Sequence, residues 1–211
     1  MKTCNECITY KSNFYHEVIH CLASALDYRD RYTKGHSGRV GDMALELSEM
    51  IGLDDKMKEL VHIAGHLHDI GKIGIPDNVL NKEGPLSDAE WLTMKTHPQM
   101  GADVVNKCSS LKEVAMVIEQ HHERWDGKGY PSGIAGQNIH LAARIISICD
   151  TIDAMSSNRP YRDHFTWDYI RFEIRNNAGS QFDPDLAKYS DQIIDSWISR
   201  YEAPLPLLEV V

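Results

Sequence analysis

The chain has 211 residues, 42% hydrophobic and 25% charged, enough for one well-filled core and slightly long for a single domain. Its formal net charge is -9 and the 22 lysines and arginines are scattered, which argues against a surface built to track duplex nucleic acid. No apolar stretch approaches the roughly 20 residues that span a bilayer, and the polar start Met1 to Cys7 lacks the apolar centre of a signal peptide, so a cytoplasmic protein without a membrane span is expected.

Residues 1–12 read as a flexible tail. Cys4 and Cys7 within it have the spacing of a zinc or redox pair but lack a second pair to close a site, whereas Cys21, Cys108 and Cys149 fall in apolar patterns and read as core thiols. A single domain is expected over 13–201, followed by a short tail over 202–211. The first helix is predicted from Asn13 to about Asp30 on the spacing of Val18, Ile19, Leu22, Ala25 and Leu26. A second starts near His36, carries Val40, Met43, Ala44, Leu47 and Ile51 as one apolar stripe, and stops at Gly52. Asp54 and Asp55 open a third, which buries Leu60, Ile63, Ala64 and Leu67. His62 and His66 lie opposite that stripe; their spacing of four is compatible with a metal, but a polar outer face is the plainer reading.

This helix ends in His66-Leu67-His68-Asp69-Ile70-Gly71-Lys72. Gly71 is expected to stop it after Ile70 and turn Lys72 back toward His68 and Asp69. An adjacent imidazole and carboxylate at a helix end can serve one divalent cation, or set the carboxylate between two; taken alone, the pair is more often a capped and hydrogen-bonded helix end than a metal site.

Pro76, Gly84 and Pro85 mark a loop with a short helical turn at Asp77 to Leu80. Ser87, Asp88 and Glu90 have the pattern of a capped helix start, and that helix should run to about Thr96. His97-Pro98 opens the next, with Met100, Val104 and Val105. Leu111, Val114, Ala115 and Ile118 define a helix that ends in His121-His122. Trp125 to Gly136 contains four glycines and Pro131 and is a loop of defined turns. A helix from about His140 to Met155 carries Asp150 one step off its apolar stripe, and Arg159-Pro160-Tyr161-Arg162 is a turn. Two last helices are expected around Asp168 to Ala178 and Pro184 to Arg200. With no alternating strand pattern and no internal repeat, the fold class is all-α, a helical bundle.

Ligand-type residues thus collect at helix ends and starts: His36, His68, Asp69, His97, His121 and His122, joined by Asp150 from a helix flank. Five imidazoles and two carboxylates suit two first-row ions such as iron or manganese better than structural zinc.

These motifs, in this order, resemble the HD-GYP phosphodiesterases, a branch of the HD-domain metallohydrolases. The resemblance runs from about Leu26 to Phe182. It rests on Gly35-His36-Ser37, the run from His68 to Pro76, His97-Pro98, the run from His121 to Pro131 with its Gly129-Tyr130-Pro131 loop, Ala143-Arg144-Ile145, Asp150, and Arg159 to Arg162. It implies an HD-type helical fold, a metal centre, and hydrolysis of cyclic di-GMP, a bacterial second messenger. It also implies that His36, His68, Asp69, His97, His121, His122 and Asp150 hold metal, and that Lys72, Arg159 and Arg162 face substrate. Asp69 is assigned as the bridging ligand, Lys72 as the group that stabilises charge on phosphate, and Tyr130 as a wall of the substrate pocket. Two cations sharing a water can present hydroxide to phosphorus without a separate protein base.

Family members with three metals resemble one another in placing a glutamate four residues before the first ligand histidine. Here that position is Tyr32, so a two-metal centre releasing mainly the linear dinucleotide is expected. Arg31 and His140 stand where prolines are usual. Only about two dozen residues precede the resemblance, so any regulatory input is expected from a separate regulatory chain or from metal redox state; a homodimer is the other partner considered. A catalytically silent nucleotide sensor and a phosphodiesterase for another cyclic dinucleotide are the alternatives.

Overall fold

The computed structural model describes residues 5–30, 35–157 and 165–201, with side chains from residue 15 to 200 within those ranges. Arg31, Tyr32, Arg159, Arg162 and Cys4, and the side chain of Cys7, lie outside the described residues.

All of the regular structure described is helical, and one isolated bridge joins Ala178 and Phe182. Helix α1 (Asn5–Arg29) starts eight residues before the expected Asn13. It buries Ile19, Ala23 and Leu26, while Val18 and Leu22, read as part of its stripe, are exposed. The contact is a narrow ridge, because α1 lies on the outside of α2 (His36–Met50) and α3 (Asp55–Leu67) rather than inside the bundle. Cys21 shares the exposed side and Cys108 lies in an exposed turn; of the three cysteines read as core, Cys149 alone is buried.

Helices α2 and α3 form the centre of the molecule. Val40, Met43, Ala44 and Leu47 of α2 are buried against Leu60, Val61, Ala64 and Leu67 of α3. Gly65 fits against Gly41 so tightly that a Cβ on Gly65 would stand 2.7 Å from the Gly41 Cα. Asp54 caps α3 by accepting from the Met57 N–H at 2.8 Å. The helix ends at Leu67, earlier than Ile70, and a 3-10 turn follows over Ile70–Gly74.

Next come α4 (Asp77–Leu80) and α5 (Asp88–Met94), the latter opened by the Ser87–Glu90 capping box that its sequence announces. Helices α6 (His97–Val105) and α7 (Lys112–Gln120) pack as an antiparallel pair against the 3-10 turn and α3. Helix α8 (Leu141–Ser156) crosses behind α2 with Ile145, Ile148, Cys149 and Ile152 fully buried. Its N-terminus is capped by His140, whose Nδ1 accepts from the Ala142 N–H. Helix α9 (Trp167–Asn176) follows, and the expected last helix divides into one turn, α10 (Pro184–Ala187), and α11 (Ser190–Tyr201). No described helix is long and apolar enough to cross a membrane.

Candidate metal centre

Every imidazole of the centre stands at a helix boundary. His36 opens α2 behind Gly35, whose φ of 70° favours glycine and whose N–H donates to Asp27 at 2.7 Å. His68 caps α3 and Asp69 follows it. His97 opens α6, and His121 caps α7 with His122 next in line. Gly71 brings these ends together, though not by turning the chain: a Cβ there would lie 1.9 Å from the His97 carbonyl oxygen and 2.4 Å from the Gly101 nitrogen. Only a bare Cα lets α6 reach the 3-10 turn, and that approach sets His97 beside Asp69.

Backbone carbonyls orient three of the rings. His68 Nδ1 is 2.7 Å from Gly65 O, His97 Nδ1 is 2.8 Å from Met94 O and His121 Nδ1 is 2.6 Å from Ile118 O. A ring nitrogen against a carbonyl carries the proton, so each Nε2 turns a lone pair into the centre. His97 and His121 Nε2 are 3.3 Å apart, and the buried His68 Nε2 has no hydrogen-bond partner. Facing lone pairs and an orphaned nitrogen are what a cation would satisfy.

Asp69 is the shared member. Its Oδ1 is 3.3 Å from His97 Nε2, and its Oδ2 is 3.4 Å from His68 Nε2 and 3.7 Å from His36 Nε2. Asp150 completes the His36 side, its Oδ1 3.2 Å from His36 Nε2 and 3.9 Å from His68 Nε2. Two donor groups result, Asp69 with His97, His121 and His122, and Asp69 with His36 and His68; within each the donor atoms lie within 4.8 Å of one another. The donor set fits divalent metal, as nitrogen and carboxylate sites of this kind do.

The electrostatics agree. Burial pushes His97 down to about 3 and His122 down to about 4, and takes His121 well below its ordinary value, so these rings are neutral at pH 7, the form that can donate to a metal. Burial also acts against a charge on His36, but hydrogen bonds to Asp150 and Asp153 outweigh it and raise His36 to about 10. Burial would raise Asp69, yet Lys72 and the surrounding imidazoles hold it well below the carboxylate range; the bond from His36 does the same for Asp150. Lys72 Nζ donates to Asp69 Oδ2 at 2.6 Å and lies 3.7 Å from Asp30. With no ion bound, a protonated His36 and the Lys72 ammonium supply the positive charge that the carboxylates require; an ion at the His36 side would take the place of the proton on Nε2.

The glycine loop closes the α7 end. Buried Glu123 accepts from the Ser132 and Gly133 N–H groups at 2.7 and 3.0 Å, and Gly129 sits where a Cβ would meet the Arg124 nitrogen at 2.4 Å. The Tyr130 N–H donates to His122 O at 3.2 Å, and its ring lies over His122 with centroids 4.9 Å apart. Tyr130 therefore both shields His122 and faces a cleft of about 280 Å³, whose lining includes Lys72, Lys82, Trp91, His97 and Asp150.

All the described candidates, His36, His68, Asp69, Lys72, His97, His121, His122, Tyr130 and Asp150, meet at this cleft or directly beneath it. Two contributors escaped the sequence reading. Asp153, fully buried, accepts from His36 Nδ1 at 2.7 Å and from Arg39 Nε at 2.6 Å. Its signal was a carboxylate one helical turn beyond Asp150, within an apolar stripe. Trp91 lies 6.4 Å from the Tyr130 ring, with the Lys95 ammonium over both; an exposed tryptophan in a capped helix carries no mark of a cleft.

Comparison with known proteins adds to this geometry. The family model described as HD domain matches residues 20–186. A 3'3'-cGAMP-specific phosphodiesterase of Vibrio cholerae is 36% identical over 192 residues, covering 90% of this chain and 37% of that protein. A cyclic di-GMP phosphodiesterase of Thermotoga maritima is 35% identical over 189 residues, covering 89% of this chain and 51% of that protein. The chain thus spans about half the length, or less, of these relatives. A solved structure of a cyclic GMP-AMP specific phosphodiesterase of V. cholerae shares the fold with a TM-score of 0.68 at 21% identity, over 89% of this chain and 50% of that one.

Proposed function

Because the chain belongs to the HD-domain family, with the Gly129-Tyr130-Pro131 loop of the HD-GYP proteins it resembles, we propose that it is a metal-dependent phosphodiesterase that opens cyclic di-GMP, mainly to the linear dinucleotide. The observation that carries this reading is Asp69, common to two groups of metal donors at the floor of a cleft that also holds two lysines and two aromatic rings.

In this reading His36, His68, Asp69 and Asp150 would hold one divalent ion, and Asp69 with His97, His121 and His122 would hold another. Iron or manganese suits these donors best. Bound ions of this type supply Lewis-acid polarisation of a phosphoryl oxygen and a nucleophilic water at neutral pH. The protein's own part is to keep His97, His121 and His122 neutral, to orient the rings of His68, His97 and His121, and to bring Lys72 to the non-bridging phosphate oxygens as negative charge grows on them. Asp30 and Asp69 fix the Lys72 ammonium at the cleft wall beforehand, so little reorganisation accompanies the reaction. Tyr130 and Trp91 offer apolar faces to a purine and reduce water access above His122. Arg159 and Arg162 are assigned to the same substrate as further cationic contacts.

A second substrate, 3'3'-cGAMP, is favoured by one observation, the 36% identity to a protein so named. Parallel timed digests of both cyclic dinucleotides with manganese-loaded protein, separated by chromatography, test the proposal. Faster loss of cyclic di-GMP with accumulation of the linear dinucleotide is the expected result. Preferential loss of 3'3'-cGAMP would transfer the assignment, early GMP would refute the product, and nucleotide recovered bound and intact would favour a sensor.

A further inference from the structure

A second group of imidazoles stands apart from this centre, on the other side of α3. His62 and His66 are one turn apart on α3, and His16 and His20 are one turn apart on α1. The two pairs face each other, with ring centroids 5.6 Å apart for His16 and His62 and 4.3 Å apart for His20 and His66. Helix α2 adds Asp42, whose Oδ1 is 3.4 Å from His62 Nε2. Far from forming a polar outer face, His66 is 2% exposed, its ring lying over the bare Cα of Gly41, where a Cβ would meet it at 2.9 Å.

The hydrogen bonding of this group is incomplete. His62 Nε2 and His66 Nε2 are 3.0 Å apart, a contact that a single proton can bridge, and the buried His66 Nδ1 has no partner. Either neutral tautomer of His66 therefore leaves one buried nitrogen unsatisfied. The donor atoms of Asp42, His62 and His66 lie within 4.8 Å of one another, and His20 is exposed, so an ion can enter from solvent.

We propose that Asp42, His62 and His66, completed by His16 or His20 of α1, form a second metal site that takes zinc or a similar borderline divalent ion. Imidazoles with one carboxylate and no bridging group are a mononuclear donor set, of the kind that suits tetrahedral zinc. Spacing along α3 keeps the two sites separate, since His66 and His68 are two residues apart and point to different sides of the helix. The ion would clamp α1, whose apolar contact is a narrow ridge, onto α2 and α3.

The test uses the full chain loaded with manganese and then equilibrated with a small excess of zinc. Zinc can displace manganese from the first centre, so total metal per chain is compared between the native protein and two surface double variants, His20→Ala/His62→Ala and His16→Ala/His20→Ala. The expected result is one metal ion more in the native protein than in His20→Ala/His62→Ala, and a rise in Tm of a few degrees on adding zinc that this variant does not show. The α1 variant should bind that ion more weakly, because one donor is missing. Equal totals in the native protein and both variants would overturn the proposal. So would loss of manganese in the variants before zinc is added, because the cluster would then belong to the first centre.

Discussion

The two histidine clusters share α3 and differ in how their rings are held. In the centre around Asp69, backbone carbonyls fix His68, His97 and His121, so the donors point inward whether or not an ion is present. In the cluster around His66, the rings contact one another and Asp42, and only His66 is buried. A preorganised site spends little free energy on ordering its ligands, whereas a site that must reorder exposed side chains binds more weakly and releases more easily. The first arrangement suits a resident cofactor and the second an ion that comes and goes.

Removing the carboxylate proposed to bridge the two donor groups tests this contrast most severely. Asp69→Ala should lose the metals of the first centre and reduce turnover to background, leaving the zinc capacity of the outer cluster intact, as elemental analysis will read. Lys72→Ala comes next, with its metals retained and turnover lowered on the order of 10²-fold to 10³-fold. Equal metal loss in both variants would make Lys72 structural. Asp153→Asn should weaken metal binding at the His36 side by roughly 10-fold to 100-fold, because the partner that orients the ring loses its charge; a metal titration unchanged from the native protein would show that Asp153 merely fills space.

Glycines separate the two clusters again. Gly71→Ala drives a methyl into the His97 carbonyl and should cost about 1–3 kcal/mol or more, with first-centre metal lost in parallel. Gly41→Ala meets a movable ring instead, so its effect on the urea midpoint should be smaller and confined to outer-cluster zinc. The smallest effect is expected at the N-terminus, where replacing Cys4 and Cys7 by serine should change neither metal content nor activity. A marked loss of metal would mean that these thiols are ligands.

What the sequence made legible follows from how local each signal is. The Ser87–Glu90 box, the Pro98 helix start and the His-His helix end are each written within a few residues, and each lies where its spacing predicts; the His-Asp end comes three residues early, at Leu67. His66 was misread as outward-facing because a helical wheel records one apolar stripe and cannot show that α1 covers another side. Gly71 was expected to end a helix, yet its function is contact between backbones 26 residues apart in sequence, from Gly71 to His97, which no local pattern encodes. Asp153 was missed for a similar reason. A carboxylate among isoleucines reveals its purpose only when Arg39 and His36, more than a hundred residues earlier, arrive beside it.

The far end of α1 bears on both clusters. Arg29 donates to the carbonyls of Lys72, Ile73 and Ile75 and pairs with Asp77, while Asp30 lies beside the Lys72 ammonium. One helix thus joins the imidazoles at its middle to the turn that carries Lys72. Thermodynamic linkage then runs in both directions: if an ion at the middle of the helix tightens nucleotide binding by some factor, nucleotide tightens the ion by the same factor. The molecule would read zinc availability and signal concentration as one combined quantity.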